Sequence, residues 1–473
     1  MKFQTGILLA LAACQASCAS ASTQWMDWDK LQTCNPLSFS ILSSEQEVID
    51  AVKAAVKTKT GLKTVGAGHS FSSITLTDPS RKSNMINLDG LNAVYSVDYR
   101  PTPLLRSQVA EFTVGAGIRL RDLNVALSSH GLALVNLGAT AAQSVAGAAA
   151  TGTHGTGSSL GSLSTSLIGF RVVDGSGTVR EARWDDVDKT LYDALRLHVG
   201  ALGIVTEVTL GAVDLFKLKK TTLSMPLGEL LERHDELLNK YERIQWSFVP
   251  YTGLASVVIR EVVPLETPVT GCWAEDQVSP DVNVPYSYQL LPDLTFDATS
   301  CVDVSYKALV DSYDAYENRT LYTEMEMFIP SESAVPAMRE FIAYQNSIED
   351  QHDPAAGDLY SLMRYVAADD IPLSPCRGRD VAVMSMIVLG NKDHTGSPAE
   401  FERYARQMEI IAAKYNGVPH WGKQNWAQRK DIEGFYGKDT LNAFEKLRKE
   451  MDPHDIFLNE YLIQKGFGGK KEH

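Results

Sequence analysis

The chain has 473 residues, 44% of them hydrophobic, and a formal net charge of −14, which argues against electrostatic attraction to nucleic acid or to an anionic membrane. That length is too great for one core and implies two domains. The six cysteines and ten histidines show no CxxC or HExxH spacing, so no metal centre is expected.

Lys2, the apolar run over residues 6–13 and Ala19-Ser20-Ala21 supply the charge, apolar segment and A-x-A site of an export signal. Residues 1–21 are therefore expected to be removed and the product secreted. An uncleaved anchor is the weaker alternative, because the run falls well short of the ~20 residues that span a bilayer. Cys14 and Cys18 leave with the signal, while Cys34, Cys272, Cys301 and Cys376 remain. These permit three pairings, and Cys272 with Cys301 closes the shortest loop. Asn318-Arg319-Thr320 is a glycosylation sequon.

Beyond the signal, residues 37–41 read as extended and Ser44 to Glu47 as a capping box. Val48, Ile49, Val52 and Val56 recur at helical spacing, Gly61 is expected to end that helix, and a strand over 62–65 enters Gly66-Ala67-Gly68-His69-Ser70. Such a βαβ unit delivers a glycine-flanked histidine to the carboxyl end of a parallel sheet, where open α/β folds bind ligands. A second unit runs from a strand at 112–114 through Gly115 and Gly117 to a helix bearing Leu120, Leu123 and Leu127. Gly131 closes that helix, and a strand at 132–135 leads into residues 138–161, GATAAQSVAGAAATGTHGTGSSLG.

Of those 24 residues 20 are Gly, Ala, Ser or Thr, and none is charged. Side chains so small let backbone N–H groups approach an anion or a flat polar cofactor. Seven alanines and the TGTHGTG run argue against a flexible linker. Two turns therefore converge on a cofactor site. Neither Gly66-x-Gly68 nor Gly115-x-Gly117 completes the dinucleotide fingerprint, and no Gly-x-Ser-x-Gly elbow surrounds Ser70, which sets aside a nicotinamide-type domain and a serine hydrolase.

Downstream, residues 170–173 and 178–182 flank Asp174-Gly175-Ser176-Gly177 as a hairpin, 191–199 read as helix, and 204–210 as a buried strand. From about residue 215 the texture becomes α+β, with helices over 227–241, 334–348 and 400–414 between strands at 245–250, 321–330 and 381–389. The proline-bearing stretch 280–297 reads as a long loop. A helix over 441–451 and a short strand at 456–458 end the pattern.

VGAGHSFSSI, QSVAGAAATGTHGTG, GALGIVTEVTL, EMEMFIP, RYVAADDIPLSPC, PHWGK and DPHDIFLNEYL occur together and in this order. In that combination the chain resembles the aldonolactone oxidases and the related alditol oxidases, within the vanillyl-alcohol-oxidase type of flavoproteins. The resemblance implies an α+β, two-domain PCMH-type FAD-binding fold with an inserted α+β substrate domain. It places an FAD-binding domain of two α/β subdomains over 22–212, the substrate (cap) domain over 213–415, and a C-terminal segment, 416–473, returning to the first domain to complete the active site. It also implies FAD joined covalently to His69 through the flavin 8α-methyl, with noncovalent FAD beside a hydrogen-bonded histidine as the alternative. Cofactor contacts are expected from Gly66, Ala67, Gly68 and Ser70 on the first turn. On the second they are expected from Gly138, Ser144, Gly147, Thr151, Gly152, Thr153, His154, Gly155 and Thr156, and further on from Ile204 and Val205.

Removing hydride from an alcohol carbon to flavin N5 while its hydroxyl loses a proton demands a base and a cation opposite the ring. The resemblance assigns Lys423 to the oxidised hydroxyl and Glu326 to proton acceptance. Glu324, on the same face of a strand, is second choice. Arg364 is assigned to a lactone or carboxylate oxygen, and Ser144, Tyr365 and His420 to the substrate pocket. The plain structural rivals pair Arg364 with Asp369 or Asp370, and Glu326 with Lys423. The expected activity is a secreted, FAD-linked oxidase of sugar lactones that returns electrons to oxygen as hydrogen peroxide, working as a monomer or small homo-oligomer. Tyr365, bulkier than the threonine of alditol oxidases, favours ring-shaped lactones. Alternatives are an alditol or sugar oxidase, a dehydrogenase using a quinone or cytochrome, and a carbohydrate-binding protein without catalysis.

Overall fold

A parallel sheet of three strands in the order Phe39–Ile41, Ser83–Asn87, Gly61–Val65 begins the fold. The computed structural model describes residues 24–78, 80–101, 107–250, 252–272, 298–310, 321–347, 359–389 and 398–468; the export signal, the sequon and the stretch 280–297 lie outside them. Helix Glu45–Thr58 makes the crossover between the first strand and Gly61–Val65. The Ser44 side chain accepts the Glu47 N–H at 3.3 Å, and Glu47 reaches back to the N–H of Ser43 at 2.7 Å. Gly61 does not end this helix: Lys59 caps it in the left-handed region at φ 56°. Gly61 instead opens the next strand, where a Cβ would stand 2.3 Å from Ser83 Oγ.

A second sheet orders Val179–Arg183, Leu167–Val173, Ile204–Asp214, Gln108–Gly115 and Val94–Asp98, with Leu132–Ala133 also paired to Ile204–Asp214. Every pairing in it is antiparallel. The second expected unit therefore forms no parallel pair, because Ile204–Asp214 pairs with both of its strands. The helix expected over 191–199 is only Thr190–Leu195, since Val199 and Gly200 turn into positive φ at 49° and 73°.

The remaining large sheet has eight strands, all pairings antiparallel: Thr299–Val304, Lys217–Pro226, Leu254–Val263, Arg243–Phe248, Leu359–Val366, Val381–Leu389, Tyr322–Pro330 and Val418–Pro419. Helices Ala334–Ser347 and Pro398–Lys414 cover one face of it. The helix expected over 227–241 is two, Leu227–Glu232 and His234–Lys240, separated at Arg233. Residues 456–458 form a turn rather than a strand, wrapped around the Asp452 carboxylate, which accepts the N–H groups of Ile456 and Phe457 at 3.0 Å each.

Alternation along Tyr322–Pro330 decides what the site receives. Met325, Met327 and Ile329 enter the apolar core under the helices together with Met363, Tyr365, Ala382, Met384 and Met386. Glu324, Glu326 and Phe328 therefore face the other way, as do Arg364 and Ser385 on the neighbouring strands. A second apolar core unites the first two sheets and takes in Trp421, Ile432, Tyr436, Phe444 and Met451 from the C-terminal segment. Burying each such side chain contributes roughly 1.5–3 kcal/mol, so this segment is anchored to the first half of the chain. Cys272 and Cys301 form a disulfide, and Cys34 and Cys376 are free and buried.

Candidate active site

The two small-residue turns meet. A Cβ on Gly66 would stand 2.3 Å from Ser144 Oγ, and Gly68 takes φ +67°, so only glycine lets this turn lie against the second. Between them opens a cleft with ≈ 1040 Å³ of empty space, part of it continuous with solvent. Gly66, Ala67, Gly68, His69, Ser70, Ser144, Gly147, Thr151, Ile204 and Val205 border it, as the sequence leads one to expect. Gly138, Gly152, Thr153, His154, Gly155 and Thr156 do not. The N–H groups of Gly152 and Thr153 are spent on the carbonyls of Ala149 and Ala148, at the end of helix Val145–Ala150. Gly138 packs on Thr153, Gly155 on Leu137 and Asn136, and the Thr156 hydroxyl donates to the Ile244 carbonyl. Ser144 lies against Gly66 and Gly147, where the two turns meet.

His69 is enclosed by aromatic rings, with Trp28 at 4.7 Å and Phe71 at 5.3 Å between centroids, and its Nε2 lies 3.5 Å from the Tyr322 hydroxyl. Burial, assisted by Lys423, pushes the imidazole down to about 3, so it is neutral. Its loop is tied to the C-terminal segment: Phe71 N–H donates to the Gly422 carbonyl at 2.8 Å and Ser72 Oγ to that of Trp421 at 2.9 Å. This brings Lys423 Nζ over the Phe71 ring at 4.7 Å. Gly422 is in turn held close to Thr151, whose Oγ1 would be 3.2 Å from a Cβ there.

Lys423 forms an ion pair with Glu324, and Arg364 one with Glu326. Arg364 stands 3.9 Å from Glu324 as well. Neither rival pairing is found; Asp370 binds Arg196 instead. The Glu326 carboxylate also accepts from Ser385 Oγ at 3.1 Å and lies 3.3 Å from His154 Nε2. Burial opposes its ionisation, yet Lys423, Arg364 and His154 hold its carboxyl well below the usual range. Glu324 behaves oppositely: burial, with Glu326 beside it, raises it to about 7 despite Lys423. His420 accepts the Gly422 N–H on Nδ1 at 2.9 Å, and burial lowers it to about 3.

Tyr365 does not reach this cluster. Its neighbour Arg364 does, so the tyrosine points through the sheet into the opposite core, where its hydroxyl meets His234 Nε2 at 2.7 Å and Trp246 Nε1 at 2.9 Å. Its bulk therefore does not shape the pocket beside Glu324 and Lys423. His154, Glu326 and His420 place ligand atoms within 4.8 Å of one another, but Arg364 and Lys423 already supply the positive charge there, and a divalent ion would be repelled. Sequence reasoning missed Ser385, and missed Lys63, Gln143 and His198 on the cleft wall. Ser385 did carry a signal, being the polar exception on an otherwise apolar strand.

The donor set suits a long, polar, flat cofactor: side-chain-free turns for its phosphates and a neutral imidazole at one end. The profile of FAD-binding domains matches residues 36–183, the part holding both turns. Cholesterol oxidase from Brevibacterium sterolicum has the same fold, with a TM-score of 0.75 at 18% identity over 93% of this chain and 96% of that one. The molecule is an FAD-dependent oxidoreductase of the two-domain PCMH type, acting on a CH–OH group.

The cap side narrows this. The D-arabinono-1,4-lactone oxidase profile matches residues 208–465. The chain is 30% identical to L-gulonolactone oxidase of Mus musculus over 93% of its own length and 97% of the other. It is equally similar to L-gulono-1,4-lactone dehydrogenase of Mycobacterium tuberculosis, over 92% and 97%. With D-arabinono-1,4-lactone oxidase of Kluyveromyces lactis it shares 31% over 95% and 98%. It belongs to the D-arabinono-1,4-lactone oxidase family.

Proposed function

We propose that the protein is an exported oxidase of sugar-derived 1,4-lactones of the gulono-, glucono- or arabinono- type, with FAD held covalently by His69. One observation carries this reading: the His69 loop and the Lys423–Glu324 pair come together across Phe71, although they arise from three distant segments of the chain. Support for a lactone comes from relatives named for 1,4-lactones, since Tyr365 offers none. A neutral His69 is the form of imidazole able to act as a nucleophile.

FAD held between the two turns by residues 66–70 and by Ser144, Gly147 and Thr151 would supply a two-electron acceptor for hydride, with oxygen as the final oxidant giving hydrogen peroxide. Lys423 donates to the hydroxyl oxygen being oxidised. Glu324 takes the hydroxyl proton, and its position near 7 is where a base works best at neutral pH. Glu326 is less suited to that duty, because Arg364, Ser385 and His154 already hold it. It instead positions Arg364 to bind the lactone carbonyl, a group that acidifies the neighbouring C–H and stabilises the enediol product.

Peroxide release on gulono- or arabinono-1,4-lactone, set against xylitol and sorbitol, tests the substrate class; turnover confined to the polyols would overturn it. In acid, yellow colour should stay with the polypeptide and should leave it in His69→Ala. The mycobacterial relative favours a second reading, a dehydrogenase; slow return of the yellow colour in air would select it over the oxidase. Export rests on the N-terminal signal pattern and on the Cys272–Cys301 disulfide, a bond of oxidising compartments. A secreted product beginning near Ser22 is the expected result of N-terminal sequencing.

A further inference from the structure

Lys63 lies on the strand that leads to the His69 turn, yet the residue is only 5% exposed. Its ammonium donates to the Phe457 carbonyl at 3.3 Å, and among the described residues no carboxylate lies within ion-pairing distance of it. Asp452 acts on it only from further away, its oxygens being taken by the Ile456 and Phe457 N–H groups. An ammonium carries three donors, and a buried cation without acceptors is costly. Burial lowers Lys63 to about 8, so it stays charged at neutral pH. Lys63 borders the cofactor cleft, and so does His198. His198 accepts the Gly200 N–H on Nδ1 at 3.2 Å, which leaves the proton of the neutral ring on Nε2 as a donor. Phe457, Ile204 and Leu62 supply apolar wall beside the two.

We propose that Lys63 and His198 form the subsite for the adenosine half of FAD, donating to ribose and adenine acceptors, and that the chain's preference for FAD over FMN resides there. The inference rests on FAD occupying the cleft. His69 marks the flavin end, and Lys63 lies back along the same strand, inside the sheet, where the rest of a dinucleotide must run. The apolar wall suits the faces of a purine, and the two donors suit its edge and sugar.

The full-length protein carrying His69→Ala, in which flavin exchanges, is titrated with FAD and with FMN by quenching of flavin fluorescence, and with ADP by competition. Adding Lys63→Met should weaken FAD roughly 10- to 100-fold, the worth of a hydrogen bond from a charged donor, leave FMN binding where it was, and abolish competition by ADP. His198→Leu should move the FAD-to-FMN ratio in the same direction by a smaller factor. Replacing a buried charge by a methyl-ended chain of similar volume is often neutral or stabilising, so the apoprotein should unfold at no lower temperature. If Lys63→Met does not accumulate, His198→Leu reads the same ratio. FAD and FMN affinities falling together, or the ratio standing still, would overturn the proposal. Failure of the His69→Ala protein to bind either flavin would instead count against the cleft as the cofactor site.

Discussion

The glycine-turn cleft and the polar face of the large sheet solve opposite problems. Most of the cleft wall comes from two contiguous turns and their strands, nearly without charge, and backbone and small side chains shape it. The polar face concentrates Glu324, Glu326, Arg364 and Lys423, drawn from three separate segments, in a place where almost none of their surface meets water. A cofactor that stays bound can be held by many weak, local donors. A bond that must be polarised during turnover needs full charges, and buried charges are least costly when paired. Here the pairs differ in depth: Lys423 keeps 15% of its side chain accessible and faces the His69 loop, while Arg364 and Glu326 are nearly sealed.

If the two regions divide labour in this way, Lys423→Met should lower kcat roughly 10²- to 10⁴-fold, the range for losing a positioned acid–base or charge-stabilising group, and leave flavin content unchanged. Loss of flavin alongside activity would show that the regions are not separable. Glu326→Gln is expected to cost about 3–5 kcal/mol of stability, because it removes one charge of a buried ion pair, and to raise KM by loosening Arg364. Urea denaturation measures the stability cost. A large fall in kcat with stability intact would return the base role to Glu326.

Glu324→Gln should lower kcat roughly 10²-fold near pH 8 and change the shape of the pH profile. Glu324 must be deprotonated to accept a proton, and it is raised to about 7. Wild-type turnover should therefore climb as pH rises through about 7 and level off above it, and the variant should lose that ascending limb. A limb that survives in Glu324→Gln belongs to another group.

The same contrast governs how much of the molecule was readable in advance. The His69 turn and the first βα crossover followed from local rules, because glycine spacing, helical periodicity and a capping pair act within a few residues. That the strands of the second unit lie either side of Ile204–Asp214 was not legible, since only this distant strand decides how they pair. On the second turn Thr151 reaches the cleft while the next amides are consumed by the end of Val145–Ala150, a competition that a list of small residues does not reveal. On the cap sheet, the shared face of Glu324 and Glu326 followed from strand periodicity. Which cation each one meets depended on register between Tyr322–Pro330, Val381–Leu389 and Leu359–Val366, and no local pattern encodes that.

Tyr365 tests the alternation itself, with the smallest expected effect. Its hydroxyl accepts from the Trp246 indole N–H at 2.9 Å and faces His234 Nε2 at 2.7 Å, whose Nδ1 lies 2.7 Å from Asp235. The consistent arrangement has the indole donating to tyrosine, tyrosine to His234, and His234 to Asp235. Tyr365→Phe removes the central oxygen and leaves a buried indole donor unsatisfied, at about 1–3 kcal/mol of stability. Because the ring points away from Glu324 and Lys423, kcat and KM for the lactone should not move. A changed KM at unchanged stability would mean that the side chain reaches substrate, and so that residues adjacent in the strand do not face opposite sides of the sheet here.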